Sequence, residues 1–190
     1  MTRHVCLAAA LLLVGSTTSA LAGTRSLAID SARILERQDG AARLVLKVED
    51  LSYLQGRIVK SATLEIPLPG GRAAGRDLNL HVYAAARPWS PGTVTWDSPW
   101  TRAGGDWTLD HYSITSVGAG ERPSVLRFDV SAIVREVAAG REANLGFFVL
   151  PGGGEEGGVF DSTDRELLGS LSGARLEVNS TRGPRNRPTG

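Results

Sequence analysis

The residues best suited to chemistry in this chain are its four tryptophans, Trp89, Trp96, Trp100 and Trp107, gathered in one stretch of a protein that is only 6% aromatic. Large flat rings set beside Pro, Gly and Asp serve one of two ends. They plug one end of a β-fold's core, or they form a surface on which a flat ligand such as a sugar ring stacks. Val94-Thr95-Trp96-Asp97 reads as a short strand with Val94 and Trp96 on one side, so Trp96 is expected to face the core. Trp89 would fold over the sheet end from its Pro-flanked turn. Trp100 and Trp107 follow Asp97-Ser98-Pro99 and Gly104-Gly105-Asp106, segments that read as loops, where a ring is more easily exposed. With Asp97, Asp106, Asp110 and Tyr112 as hydrogen-bonding neighbours, Trp100 and Trp107 make the candidate ligand-binding site.

Other motifs offer less. Gly152-Gly153-Gly154-Glu155-Glu156-Gly157 matches G-x-G-x-x-G by letter, but a phosphate cradle needs a strand before it and a helix N-terminus after it. Here a β-type run follows, and two glutamates would repel a pyrophosphate, so a flexible hairpin loop is expected. No cofactor is expected, with one exception left open: a structural calcium ion would draw oxygens from Asp161, Asp164 and Glu166, or from Glu155 and Glu156. The chain lacks an EF-type loop or D-x-D-x-D spacing, which favours solvated acidic loops. Beyond the leader only His81 and His111 remain, on separate elements, and no H-x-x-x-H, C-x-x-C or G-x-S-x-G pattern occurs. A carboxylate pair of hydrolase type depends on a distance that sequence does not carry. The expectation is a noncatalytic protein.

Residues 1–22 read as a secretory signal: a short basic start at Thr2-Arg3-His4, an apolar run from Val5 to Val14, and Ala20-Leu21-Ala22 as an A-x-A cleavage site. Cleavage after Ala22 predicts a secreted or periplasmic protein. That cut would also remove Cys6, the single cysteine, so disulfides are excluded from the mature domain and a packed core must hold it. No segment is long and apolar enough for a transmembrane helix. The charge balance of 21 basic to 20 acidic residues gives no field that would draw nucleic acid or acidic lipid. Residues 23–178 are expected as a single domain and residues 179–190, with Arg182, Arg185 and Arg187 among Gly and Pro, as a disordered tail.

Period-two alternation places the elements that would carry these residues. Leu44, Leu46 and Val48 share one strand face, as do Ala62, Leu64, Ile66 and Leu68, and Leu78, Leu80 and Val82. Further strand runs are 27–34, 125–130, 145–150, 159–162 and 174–178. The run 145–150 is apolar on both faces, as suits a central strand. Gly and Pro punctuate the intervals at Pro69-Gly70-Gly71, Pro91-Gly92, Gly104-Gly105 and residues 118–120 and 151–158. One short helix is predicted near residues 131–139, capped by Asp129 or Ser131, striped by Ile133, Val134 and Val137, and ended by Gly140. Strands without alternating long helices predict an all-β, antiparallel jelly-roll β-sandwich with that helix plugging one end.

Four segments in this order resemble the DNRLRE-type secreted β-sandwich domain, which is related to a carbohydrate-binding module family. Val59-Lys60-Ser61-Ala62-Thr63-Leu64-Glu65-Ile66 is similar to its xxAxLxL strand, and Trp89 with Val94-Thr95-Trp96-Asp97 to its W-x-E-x-x-V-T-W-[ND] element. Phe128-Asp129-Val130 with Asn144-Leu145-Gly146-Phe147 resembles its D-V-T helix and N-x-G-[LF] turn. Val159-Phe160-Asp161-Ser162 and residues 171–178 resemble its closing F-x-S and P-x-L-x-V strands. The likeness covers about residues 27–178. Pro91 stands where the family usually has Glu, Asp164 is nearest to a second family Glu, and Gly173 replaces the usual Pro, which removes contacts those residues would make.

The resemblance implies a secreted, noncatalytic module that binds polysaccharide or belongs to a surface structure. The expected partner is therefore a polysaccharide, bound by aromatic stacking, or a cell-surface component. The alternative is a structural or protein-interaction module of the cell surface or extracellular matrix, with a glycan hydrolase or lyase as a third class.

Overall fold

The computed structural model describes residues 23–48, 50–68, 73–161, 164 and 173–183. The expected signal segment 1–22, the expected turn at Pro69-Gly70-Gly71, Glu166 and residues 184–190 of the expected tail lie outside them. Among the described residues nine strands form two sheets, all pairings antiparallel. One sheet has four strands: β1 (Gly23–Ala28), β9 (Arg175–Arg182), β4 (Arg57–Pro67) and β7 (Val125–Asp129), in that order. The other has five, in the order β2 (Ser31–Glu36), β3 (Ala42–Lys47), β8 (Phe147–Pro151), β5 (Leu78–Ala85) and β6 (Trp107–Val117). The all-β sandwich expected from the alternation is what forms. Among the described residues no helix is long and apolar enough to cross a membrane.

Alternation dictates the inner core. Leu44, Leu46, Leu80, Val82, Phe147 and Val149 from the five-stranded sheet pack against Ala62, Leu64, Ile66, Leu126, Phe128, Leu176 and Val178 from the four-stranded one. The single run expected at 27–34 is two strands. Ile29 still donates its N–H to Ala174 O, while Asp30 donates to Lys47 O, so the chain changes sheets between adjacent residues. The expected strand at 159–162 reduces to one bridge between Phe160 and Ala42, and Ser162 lies outside the described residues. At the far end β9 continues to Arg182, because Asn179, Ser180, Thr181 and Arg182 pair with β4. Residues 179–182, expected as the start of a disordered tail, are therefore strand, four residues past the expected boundary at 178.

The predicted helix is α1 (Ser131–Ala138), followed by Gly140 at φ +70°. Neither expected capping residue holds the N-cap: that position is Val130, with no side-chain cap, and Asp129 Oδ1 accepts the Ser131 N–H at 3.0 Å from one residue earlier. Ile133 and Val134 point into the core, and the helix packs on β4 and β6, one from each sheet. A bulge between Val59 and Ser61 frees two carbonyls of β4. Arg135 takes both, donating from Nε to Val59 O at 3.1 Å and from Nη2 to Lys60 O at 2.6 Å.

Candidate functional site

The central strands β3 and β8 of the five-stranded sheet are buried on both faces. Val45, Phe148 and Tyr83 sit opposite one another across β3, β8 and β5, on the face turned away from the other sheet. They belong to a second apolar cluster with Leu35, Ala85, Leu150 and all four indoles. Residues 86–106, which join β5 to β6, fold back over this face and lay their tryptophans on it. This explains why 145–150 reads apolar on both sides: β8 is covered by the opposing sheet on one face and by a loop on the other.

The covering loop is held at its base by Asp106. Its carboxylate accepts the Thr101 N–H at 2.7 Å, the Thr101 hydroxyl at 2.7 Å, the Arg102 N–H at 3.2 Å and Arg87 Nε at 3.0 Å. Burial pushes the Asp106 pKa up, but these donors outweigh it and leave the group below its ordinary value. Ala86 N–H to Asp106 O at 2.9 Å closes the loop.

The expected stacking platform is overturned by this arrangement. Trp89, Trp96, Trp100 and Trp107 retain only 6–8% of their exposure. Trp89 donates to Leu145 O at 2.8 Å, Trp100 to Thr95 O at 2.9 Å and Trp107 to Gly154 O at 3.3 Å, so three indole N–H groups are used inside the protein. Trp107 is the first residue of β6 and so stands on a strand. Residues 94–97 form no strand, and Trp96, buried as expected, packs in the outer cluster instead of between the sheets. Asp106 is buried and fully engaged. Of the expected site residues, Asp97, Asp110 and Tyr112 remain exposed, Tyr112 at 54%.

One buried arginine lies between two of the rings, and two exposed arginines flank them. Arg43 lies 5.2 Å from the Trp96 centroid and 4.9 Å from that of Trp107. Arg37 stands over Trp96 at 5.5 Å and Arg102 over Trp107 at 5.4 Å, giving the alternation Arg37, Trp96, Arg43, Trp107, Arg102. Each ring face offers its negative quadrupole to a guanidinium. Arg43 is 6% exposed, and burial, followed by repulsion from Arg102 and Arg37, lowers its pKa to about 10, leaving it a cation at neutral pH. Its charge is met by two carbonyls, with Nη2 to Glu156 O at 2.6 Å and Nε to Gly158 O at 3.0 Å.

Those carbonyls belong to the Gly-rich segment after β8, which the sequence presented as a flexible hairpin. It is instead fastened at successive carbonyls: Gly154 O to Trp107, Glu155 O to Arg102, and Glu156 O and Gly158 O to Arg43. Glycine is needed because the backbone lies on the sheet. A Cβ at Gly158 would stand 1.7 Å from Pro151 O, and one at Gly157 would be 2.4 Å from Leu150 Cδ1.

The rings form one continuous series. Trp100 meets Phe148 edge-on at 5.1 Å, Phe148 meets Trp107 at 5.6 Å, Trp107 stacks on Tyr83 at 6.1 Å, and Tyr83 lies 5.7 Å from Tyr112. His81 stacks with Tyr83 at 5.8 Å and with Tyr112 at 6.0 Å. The structure thus brings Trp100, Trp107 and Tyr112 together as the sequence suggested, but only the last reaches solvent. Beside it on β6 are Ile114, 50% exposed, and Leu109, 41% exposed. Sequence reasoning missed Arg43, Tyr83 and His81. The available signal was a basic residue, Arg43, inside an otherwise apolar strand.

Two of the calcium candidates are engaged within the protein. Asp161 Oδ1 accepts the Asp164 N–H at 2.8 Å, and Asp164 is paired with Arg76 at 2.5 Å. Glu155 and Glu156 lie in the fastened segment, and among the described residues no three His, Cys, Asp or Glu converge to hold a metal. His111 faces Glu136 at 3.8 Å. No protein-family model matches the chain, and no curated protein matches it significantly.

Proposed function

We propose that this protein is an exported, noncatalytic β-sandwich module of structural or protein-interaction type, which meets its partner through the outer strip of β6. One observation carries this reading: among the described residues, three of the four exposed large apolar side chains, Leu109, Tyr112 and Ile114, stand on β6, the outermost strand of its sheet. The tryptophans support it by their use as internal packing, and the engagement of Asp106, His81 and His111 with protein partners supports a noncatalytic role. The secretory leader and the order of the DNRLRE-like motifs support export and a jelly-roll arrangement.

A second reading, polysaccharide contact, is favoured by one specific observation. The exposed Tyr112 ring is backed by His81 and Tyr83, and a ring held in place loses little freedom when a sugar stacks on it. Affinity electrophoresis through a panel of soluble polysaccharides, run beside thermal melts, separates the two. For a structural module, no polysaccharide retards the protein, and Trp100→Phe and Trp107→Phe lower Tm. Retardation lost in Tyr112→Ser with Tm unchanged establishes the second reading. Retardation that survives Tyr112→Ser but disappears in a folded Trp107→Phe variant restores the buried-ring platform and overturns the proposal.

A further inference from the structure

The segment that closes over the indoles is fastened by a phenol that also faces a histidine. Tyr83 Oη accepts the Gly154 N–H at 3.1 Å and lies 3.1 Å from His81 Nδ1. With the neutral imidazole's proton on Nε2, the phenol accepts from the Gly154 amide and donates its own proton to Nδ1. The fit is close: a Cβ at Gly153 would stand 2.5 Å from His81 Cε1 and 2.8 Å from Tyr83 Oη.

We propose that His81 and Tyr83 form a pH-sensitive latch on residues 152–158, in which protonation of His81 releases Gly154 and loosens the segment over Trp107 and Arg43. A proton added at Nδ1 turns that atom from acceptor to donor. Two donors then converge on one phenol oxygen, and the phenol's own proton loses its acceptor in a packed site. Gly152 N–H to Asn79 O at 2.7 Å holds the segment on the β8 side, and the carbonyls of Gly154, Glu155, Glu156 and Gly158 are held by Trp107, Arg102 and Arg43, so release begins at the Gly154 amide between them.

The surroundings do not offset this. On its own strand His81 faces Tyr83, and on β6 it faces Tyr112, with Ile114 across the pair; Leu150 is its partner on β8. The segment above contributes Glu155 and Glu156, and the Glu156 carboxylate acts on Arg43. Burial holds the imidazole below its ordinary pKa, so the neutral, latched form is the one present at neutral pH.

The test is amide exchange at Gly154, corrected for the intrinsic pH dependence of exchange, from about pH 8 to about pH 4.5 across the histidine range. The latch predicts that protection at Gly154 falls about fivefold as His81 titrates, the equivalent of one net hydrogen bond. Amides of Phe147–Pro151 should stay protected throughout. His81→Gln should abolish the change, Tyr83→Phe should leave Gly154 weakly protected at every pH, and His111→Gln should keep the transition. Flat protection in the native protein, an unchanged transition in His81→Gln, or parallel loss throughout β8 would each overturn the latch.

Discussion

The Arg43 guanidinium lies 4.9 Å from the centroid of Trp107, deep under a loop, with its hydrogen bonds going to the carbonyls of Glu156 and Gly158. This one side chain joins β3, the tryptophan loop and the Gly-rich segment. Lysine keeps the charge but has no planar fork to serve two carbonyls while lying between two rings. Arg43→Lys should therefore cost about 2–3 kcal/mol, and Arg43→Ala at least as much, because a buried carbonyl left without a donor costs about 1–3 kcal/mol. Urea midpoints measure both. Native-like midpoints in either variant would show that the alternating rings and cations contribute little.

Trp107 distinguishes packing from ligand display by stability alone. Removal of a buried indole should cost about 3–5 kcal/mol, so Trp107→Ala is expected to lower the melting temperature by many degrees. Tyr112→Ser, at an exposed ring, should stay within about 0.5 kcal/mol of native. Thermal melts of the two variants check the contrast, and similar small shifts in both would contradict the burial of Trp107.

Glycines in the 152–158 segment should differ sharply. Gly154 has φ +87° with open space around its Cβ position, so Gly154→Ala carries only backbone strain of about 1 kcal/mol. Gly158→Ala brings a methyl to 1.7 Å from Pro151 O and must displace backbone, a change expected to exceed about 2 kcal/mol. Equal denaturation midpoints for the two would rule out the close approach.

Asp106 makes loop closure acid-sensitive. Its folded pKa lies below the ordinary value near 3.8, so its contribution is complete above that pH and is lost as pH falls through the depressed folded value. Asp106→Asn should remove part of this dependence and cost about 2–4 kcal/mol at neutral pH, since Arg87 and the Thr101 and Arg102 amides lose a charged acceptor. Stability measured from about pH 2 to about pH 7 in both proteins checks this; parallel curves would assign the acid sensitivity elsewhere.

Much of the framework was legible along the chain. Alternation in 62–68 and 78–82, the apolar run of β8, and the apolar stripe of α1 follow from rules that act over two to eight residues. β6 was missed because it is an outermost strand whose polar and apolar residues, such as His111, Tyr112, Ser113 and Ile114, are not sorted by depth. The candidate site was half legible: Trp100, Trp107 and Tyr112 do join one series of rings, yet their order from interior to solvent was hidden.

Sequence by itself determined the sandwich, because strand periodicity is written in neighbouring residues and needs no knowledge of what lies opposite. Tertiary structure alone decided that the tryptophans are interior. A loop ring becomes dry only when distant chain covers it, as Gly154 covers Trp107 from 47 residues away. Side-chain spacing within 86–107 contains no record of that encounter. Burial of these indoles was settled by the second face of the sheet, which needed a cover, and by Arg43, whose charge needed carbonyls brought from the far end of the chain.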